Sequence, residues 1–173
     1  LTSTGTLQTR LDLSSTRTLL VRGDLTVGVT GAAHAGDVRL RLQNSAQLTV
    51  EGDLSISHDN SDVDMNVDLQ LDNTAILNVA GDVSATMGSS AIDDLRFNLD
   101  DDVNFNITGN LSLTQNAGDE LTITVDDNAA MAVTGNLDID QTGGDDVLIS
   151  VNQNTGTAGS FSVTGTTDVS KTG

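Results

Sequence analysis

The sequence predicts an all-β fold: a right-handed parallel β-helix (β-solenoid) of about six coils of about 28 residues, with three parallel sheets. Three observations predict it: a glycine-centred pentapeptide that recurs six times, strict alternation of apolar and polar residues around it, and a second apolar row in the same register. The pentapeptide reads Val21-Arg22-Gly23-Asp24-Leu25, Val50-Glu51-Gly52-Asp53-Leu54, Val79-Ala80-Gly81-Asp82-Val83, Ile107-Thr108-Gly109-Asn110-Leu111 and Val133-Thr134-Gly135-Asn136-Leu137. A degraded copy follows at Val163-Thr164-Gly165-Thr166-Thr167. Its glycines lie 29, 29, 28, 26 and 30 residues apart, a period that marks stacked repeats.

Around each glycine, the positions two and four residues to either side are apolar in 23 of 24 cases, with Thr167 the exception. The intervening positions are apolar in 3 of 24, at Leu20, Ala80 and Ala132. That is period two, one face buried and one solvated, and a helix of period 3.6 cannot produce it. Glycine itself falls on the inward phase, which suggests a place where no Cβ has to fit. Asp or Asn after it points outward to satisfy the bend.

The second row precedes each glycine. Leu11/Leu13, Val38/Leu40/Leu42, Val67/Leu69/Leu71, Leu95/Phe97/Leu99 and Leu121/Ile123/Val125 keep one spacing to it. Val147/Ile149/Val151 continues the row displaced by four residues, which places an insertion within 152–159. Between the two strands sits a polar corner, Ser14-Ser15, Gln43-Asn44, Asp72-Asn73, Asp100-Asp101 and Asp126-Asp127, made of turn-forming residues. After the pentapeptide come loops rich in Gly, Ser, Asn and Asp that absorb most of the length differences. One repeat cannot bury its apolar side alone, whereas stacked coils at about 4.8 Å pair each strand with its counterparts. The chirality of parallel crossovers sets the expected hand. A propeller fits less well, since equivalent residues recur by coil and not by hairpin.

Composition narrows the function classes. The 173 residues carry 25 acidic against 7 basic side chains, a net charge of −18, with Lys171 the single lysine and no arginine after Arg96. Such a chain repels nucleic acid and anionic membrane surfaces. No apolar run approaches the roughly 18 residues of a membrane span, so no membrane insertion is expected. Without cysteine there is neither a disulfide framework nor a thiolate metal site. The acids are 23 Asp to 2 Glu, a choice that suits turns and disfavours helices. Both ends stay within the repeat pattern, and residues 1–173 read as one solenoid segment, a fragment or repeating unit of a longer chain or filament.

The candidate site is acidic. Asp93-Asp94, Asp119-Glu120 and Asp145-Asp146 precede the same strand in successive coils and form two columns of carboxylates about 5 Å apart when stacked. Ca²⁺, with its six to eight oxygen ligands, is the candidate cation for these columns, and no other cofactor is required. The competing reading has Asp and Asn capping turns through backbone amides. Asp100-Asp101 and Asp126-Asp127 stack likewise at the opposite turn, and Asp62, Asp64 and Asp68 share a face with Asn66 between them. His34 and His58 occupy different repeat positions in variable loops and form no column, which argues against a histidine metal or catalytic site. Arg22-Gly23-Asp24 spells the tripeptide of integrin ligands, but its Gly and Asp belong to the repeat. The glycosylation patterns at Asn106 and Asn110 fall on outward repeat positions as well.

The Val-x-Gly-Asp/Asn-Leu repeats, with Asn and Asp corners and almost no Lys, Cys or aromatic residues, resemble the β-helical shafts of large bacterial exoproteins. These are the filamentous-haemagglutinin-like adhesins and autotransporter passengers. The resemblance implies a secreted or cell-surface location and a non-catalytic role as a rigid rod segment of an extracellular fibre or adhesin. Its partners would be copies or neighbouring coils of itself, end to end in a filament, together with host or abiotic surfaces or glycans. The alternative is a carbohydrate-active β-helix, a polysaccharide lyase or tailspike-like glycosidase. Against that stand the scarcity of aromatic platforms, with Phe97, Phe105 and Phe161 all on inward positions, and the lack of a basic residue between Arg96 and Lys171.

Overall fold

The computed structural model describes residues 2–3, 8–29, 36–58, 66–88, 93–153 and 156–173, with Thr2 and Ser3 as backbone only. A short strand, β1 (Thr2–Ser3), leads into six coils of three strands each. The first coil holds β2 (Thr9–Leu13), β3 (Thr18–Val21) and β4 (Leu25–Val29), and the second β5 (Val38–Leu42), β6 (Gln47–Val50) and β7 (Leu54–His58). The third holds β8 (Val67–Leu71), β9 (Ile76–Val79) and β10 (Val83–Met87), and the fourth β11 (Leu95–Leu99), β12 (Asn104–Ile107) and β13 (Leu111–Gln115). The fifth holds β14 (Glu120–Val125), β15 (Ala130–Val133) and β16 (Leu137–Thr142), and the last β17 (Asp146–Val151), β18 (Ser160–Val163) and β19 (Thr167–Thr172).

Every third strand pairs in parallel with its equivalent, giving three sheets that run the length of the stack. We call them A (β1, β4, β7, β10, β13, β16, β19), B (β2, β5, β8, β11, β14, β17) and C (β3, β6, β9, β12, β15, β18). This is the parallel β-solenoid that the repeat implies, and its register is the one read from the apolar rows: Phe97 stands between Leu69 and Ile123, and Leu113 between Ala85 and Ile139. The three inward faces meet in one continuous core, from Val27 to Ile139, whose side chains are shut off from water. Phe97 and Phe105 face each other across it with ring centroids 6.3 Å apart. Each such side chain contributes about 1.5–3 kcal/mol through burial. Sheet A extends its inward phase one position further than the alternation suggests, to Val29, His58, Met87, Gln115 and Gln141. His58 therefore lies not in a loop but at the end of β7, buried in the core; His34 lies outside the described residues.

The corner between sheets B and C is four residues long in the first five coils and eight, residues 152–159, in the last, where the insertion was expected. In the five short corners the second residue is left-handed: Ser15, Asn44, Asn73, Asp101 and Asp127 have φ between 46° and 67°. Asn and Asp tolerate that region better than other side chains, which accounts for their recurrence here.

The glycine corner, between sheets C and A, has a different cause from the one its inward phase suggests. A Cβ on Gly52 would lie 2.6 Å from the carbonyl carbon of Gly23, and one on Gly81 would lie 2.8 Å from the carbonyl group of Gly52. The obstruction is the backbone of the preceding coil, along the stacking axis, and not the core. Each glycine N–H donates to the glycine carbonyl one coil earlier, at 3.0 Å in all five steps. Gly23, in the first coil, has nothing within 4 Å of the Cβ position among the described residues. Overpacking of this kind costs about 1–3 kcal/mol. Thermal melts are therefore expected to show Gly81→Ala destabilised by that amount and Gly23→Ala close to the parent; equal effects at the two positions would refute the axial cause.

Candidate functional site

The residue after each glycine builds a side-chain ladder up the outside of the corner. Oδ1 of Asp24 accepts from the backbone N–H of Asp53 (2.9 Å), Asp53 from Asp82 (2.8 Å), Asp82 from Asn110 (2.7 Å), Asn110 from Asn136 (2.9 Å) and Asn136 from Thr166 (2.9 Å). Asp and Asn share these positions because the step needs one side-chain oxygen and is indifferent to the atom beside it. Asp24 of the Arg-Gly-Asp tripeptide is one rung, as is Asn110 of a glycosylation pattern, and the Asn106 amide donates to Asn78 (2.9 Å). Beside the ladder runs an open groove of about 500 Å³, lined by Asp53, Asp82, Asn110 and Asn136 on one side and by Ser84, Ser112 and Asp138 on the other.

The predicted carboxylate columns stand in register at the entrance to sheet B. Glu120 pairs with Asp146, and the Asp119 N–H donates to the Asp93 carbonyl (2.9 Å), as the Asp145 N–H does to that of Asp119 (2.8 Å). Their environments differ: Asp93 is buried, Asp94 half-buried, and Asp119, Glu120, Asp145 and Asp146 are exposed. Asp94 belongs to a second axial ladder. Oδ1 of Asp37 accepts from Asn66 N–H, that of Asn66 from Asp94 N–H and that of Asp94 from Glu120 N–H, each at 3.1 Å. Behind it, two glutamines occupy the core. Gln115 Nε2 donates to the carbonyls of Asp93 (3.0 Å) and Glu120 (3.3 Å), and Gln141 Nε2 to Gln115 Oε1 (2.8 Å) and the Asp146 carbonyl (2.9 Å). This glutamine pair was missed in the sequence, although both residues stand six places after their repeat glycines.

Two other acidic groups resolve differently. Asp68 is clasped by Arg39 Nη2 (2.9 Å) and Arg96 Nε (3.3 Å), an ion-pair bridge over three coils of sheet B; Asp62 and Asp64 lie outside the described residues. At the left-handed corner, oxygens of Asp100, Asp101 and Asp127 lie within 4.8 Å of one another. There the Asp100 carboxyl is held above its ordinary value. Loss of hydration on its packed side is the larger cause, and the Asp101 charge adds to it, with Asp126 and Asp127 contributing.

Compared with protein-family models, curated proteins and solved structures, the chain matches none.

Two measurements separate capping from cation binding and test the acidic corner. Asp94→Asn keeps the ladder oxygen and is expected to leave the melting temperature nearly unchanged, whereas Asp94→Ala costs about 1 kcal/mol. A calcium-dependent rise in melting temperature that Asp94→Asn erases would put a cation on the column. For Asp100, a raised folded-state pKa means that the folded chain binds the proton more readily. The stability this contributes is complete below the ordinary value of 3.8 and is lost as pH rises through the raised one. Asp100→Asn, which keeps the acceptor that Asp101 N–H uses at 3.0 Å, is expected to raise the melting temperature at pH 7 and to change it little at pH 3.

Proposed function

We propose that this chain is a rigid rod segment of an extracellular or cell-surface fibre or adhesin, structural and not catalytic. The observation that carries the reading is axial continuity. The glycine backbone step and the ladder beside it run through all six coils, and the ladder at the entrance to sheet B links the second coil to the fifth, so neighbouring coils are tied at these corners as well as through the sheets. A fold held in this way resists bending, which is what a shaft needs. The likeness of the repeats to filamentous-haemagglutinin-like and autotransporter shafts supports the same reading and supplies the location. The outward polar rows and the open groove beside the corner offer a long, shallow surface suited to contact with a substratum or glycan rather than to enclosing a reacting group.

Immunogold electron microscopy with antibody raised against residues 1–173 tests the reading. Label is expected along thin fibres projecting from the cell. Label confined to the cell interior, or turnover of a polysaccharide by the purified chain, would overturn it.

A further inference from the structure

We propose that the outer face of sheet C pairs two copies of this chain side by side, as an antiparallel dimer whose two-fold axis crosses the third coil. The contact is lateral and lies in mid-stack, so it is distinct from stacking end to end and goes beyond the rod reading.

The first observation is where charge is missing. The chain holds 25 acidic and 7 basic side chains, yet none stands on an outward position of sheet C. The other two faces are charged. Sheet B presents Arg10, Arg39, Asp68 and Arg96 along one outward row, and sheet A carries Asp138, Asp140 and Asp168. Docking either of them takes ions out of water, at a cost on the order of several kcal/mol per ion. Sheet C asks for no such desolvation.

The second observation is apolar content. Leu20 points outward and is 46% exposed, and outward Ile76, Ala130 and Ala132 are half-buried. Among the described residues, the outward rows of sheets A and B hold one apolar side chain, Leu148.

The third is the order of these residues along the stack, which reads alike in both directions about the third coil, and this self-match is what names a second copy as the partner. Leu20 in the first coil answers to Ala130 and Ala132 in the fifth, one large side chain to two small ones. Gln47 and Thr49 in the second answer to Asn104 and Asn106 in the fourth, and Ile76 in the third answers to itself. A two-fold axis parallel to the strands and passing through the third coil therefore sets apolar on apolar, and amide on amide or hydroxyl. The corners agree with it. The Asp101-Asp102 turn of one copy meets Asn44 and Ser45 of the other, which bring an amide and a hydroxyl to the carboxylates. On the opposite flank Arg22 meets Thr134 and Glu51 meets Thr108, so no like charges face each other. The alternative two-fold, along the rod, seats Ile76 on Asn78 and loses the match.

Such a contact is isologous and closes at two. Its footprint is five coils by one strand, about 24 Å by about 13 Å, with the two sheets about 10 Å apart. That is well below the roughly 800 Å² per partner of a standard interface, so the dimer is weak and reversible. Because each copy carries −18 and the contact contains no ion pair, added salt strengthens it by screening the repulsion.

Sedimentation velocity of the purified chain from about 0.01 to about 1 mM tests the proposal, a range suited to contacts of this strength. The expected result is a monomer–dimer equilibrium that stops at two and shifts toward dimer as NaCl is raised. Ile76→Lys, which sets two ammonium groups together on the axis, is expected to keep the parent's circular dichroism and melting temperature and to pair at least about tenfold more weakly. Ser84→Lys, on the outer face of sheet A, is expected to pair like the parent. Leu20→Glu and Ala132→Lys report the register: each alone is expected to weaken pairing, and mixing the two to restore it as a heterodimer. A chain monomeric at every concentration, an open series of oligomers, pairing weakened by salt, or undiminished pairing of Ile76→Lys would overturn the proposal, as would a mixture that does not recover. Immunolabelled fibres built from a chain that fails these tests would leave the rod reading standing.

Discussion

Everything in this molecule follows from the distance between one coil and the next. Parallel strands stack about 4.8 Å apart, and that spacing must hold at the corners as well as in the sheets. At the glycine corner the backbones pass so close that a single Cβ exceeds the available room, and the glycine N–H meets the carbonyl below at 3.0 Å. With the backbone fixed there, the next residue has one remaining task, to bring a side-chain oxygen under the N–H of its successor. The apolar rows then fall into register without further instruction, because a one-residue slip would turn each inward side chain out into water.

The sheets and the corners divide the energetic work. Burial in the core supplies most of the stabilisation, since a residue such as Leu77 or Phe105 is wholly withdrawn from water. Hydrogen bonds at the corners contribute less in net terms, but leaving one unmade in a partly buried position is costly. That asymmetry explains why a chain so rich in aspartate tolerates its own charge. Asp24, Asp37, Asp53, Asp82, Asp94 and Asp100 accept from backbone N–H groups, and Asp68 is paired with arginine. At Asp100, by contrast, loss of hydration and then the charges of Asp101, Asp126 and Asp127 oppose ionisation, and local chemistry pulls against the fold.

The fold was legible in the residues because a solenoid repeats its instructions. The alternation about Gly81 marks two strands, the triplet Val67/Leu69/Leu71 marks the third, and the four-residue displacement at Val147 locates the insertion. What was not legible came from the third dimension of the stack. Glycine 81 lies on the inward phase, and nothing in a single repeat reveals that its missing side chain makes room above and below rather than inside. Gln115, Gln141 and His58 were hidden for a similar reason. They are polar residues on an inward row beyond the point where alternation could be followed, and the pairing of the two glutamines with backbone carbonyls is a tertiary fact. The carboxylate columns were visible as columns, but only the folded arrangement distinguishes an oxygen that caps a neighbour's amide from one that faces solvent.

The glycine step has one further consequence, and it concerns heredity. Because each coil after the first meets the one before it through the same glycine contact, that contact does not itself distinguish one coil from another. Unequal recombination between two repeat units, if it joins them in phase at the glycine, removes or adds a whole coil and leaves both new neighbours correctly seated. As far as this corner is concerned, the length of such a chain can change in steps of one coil.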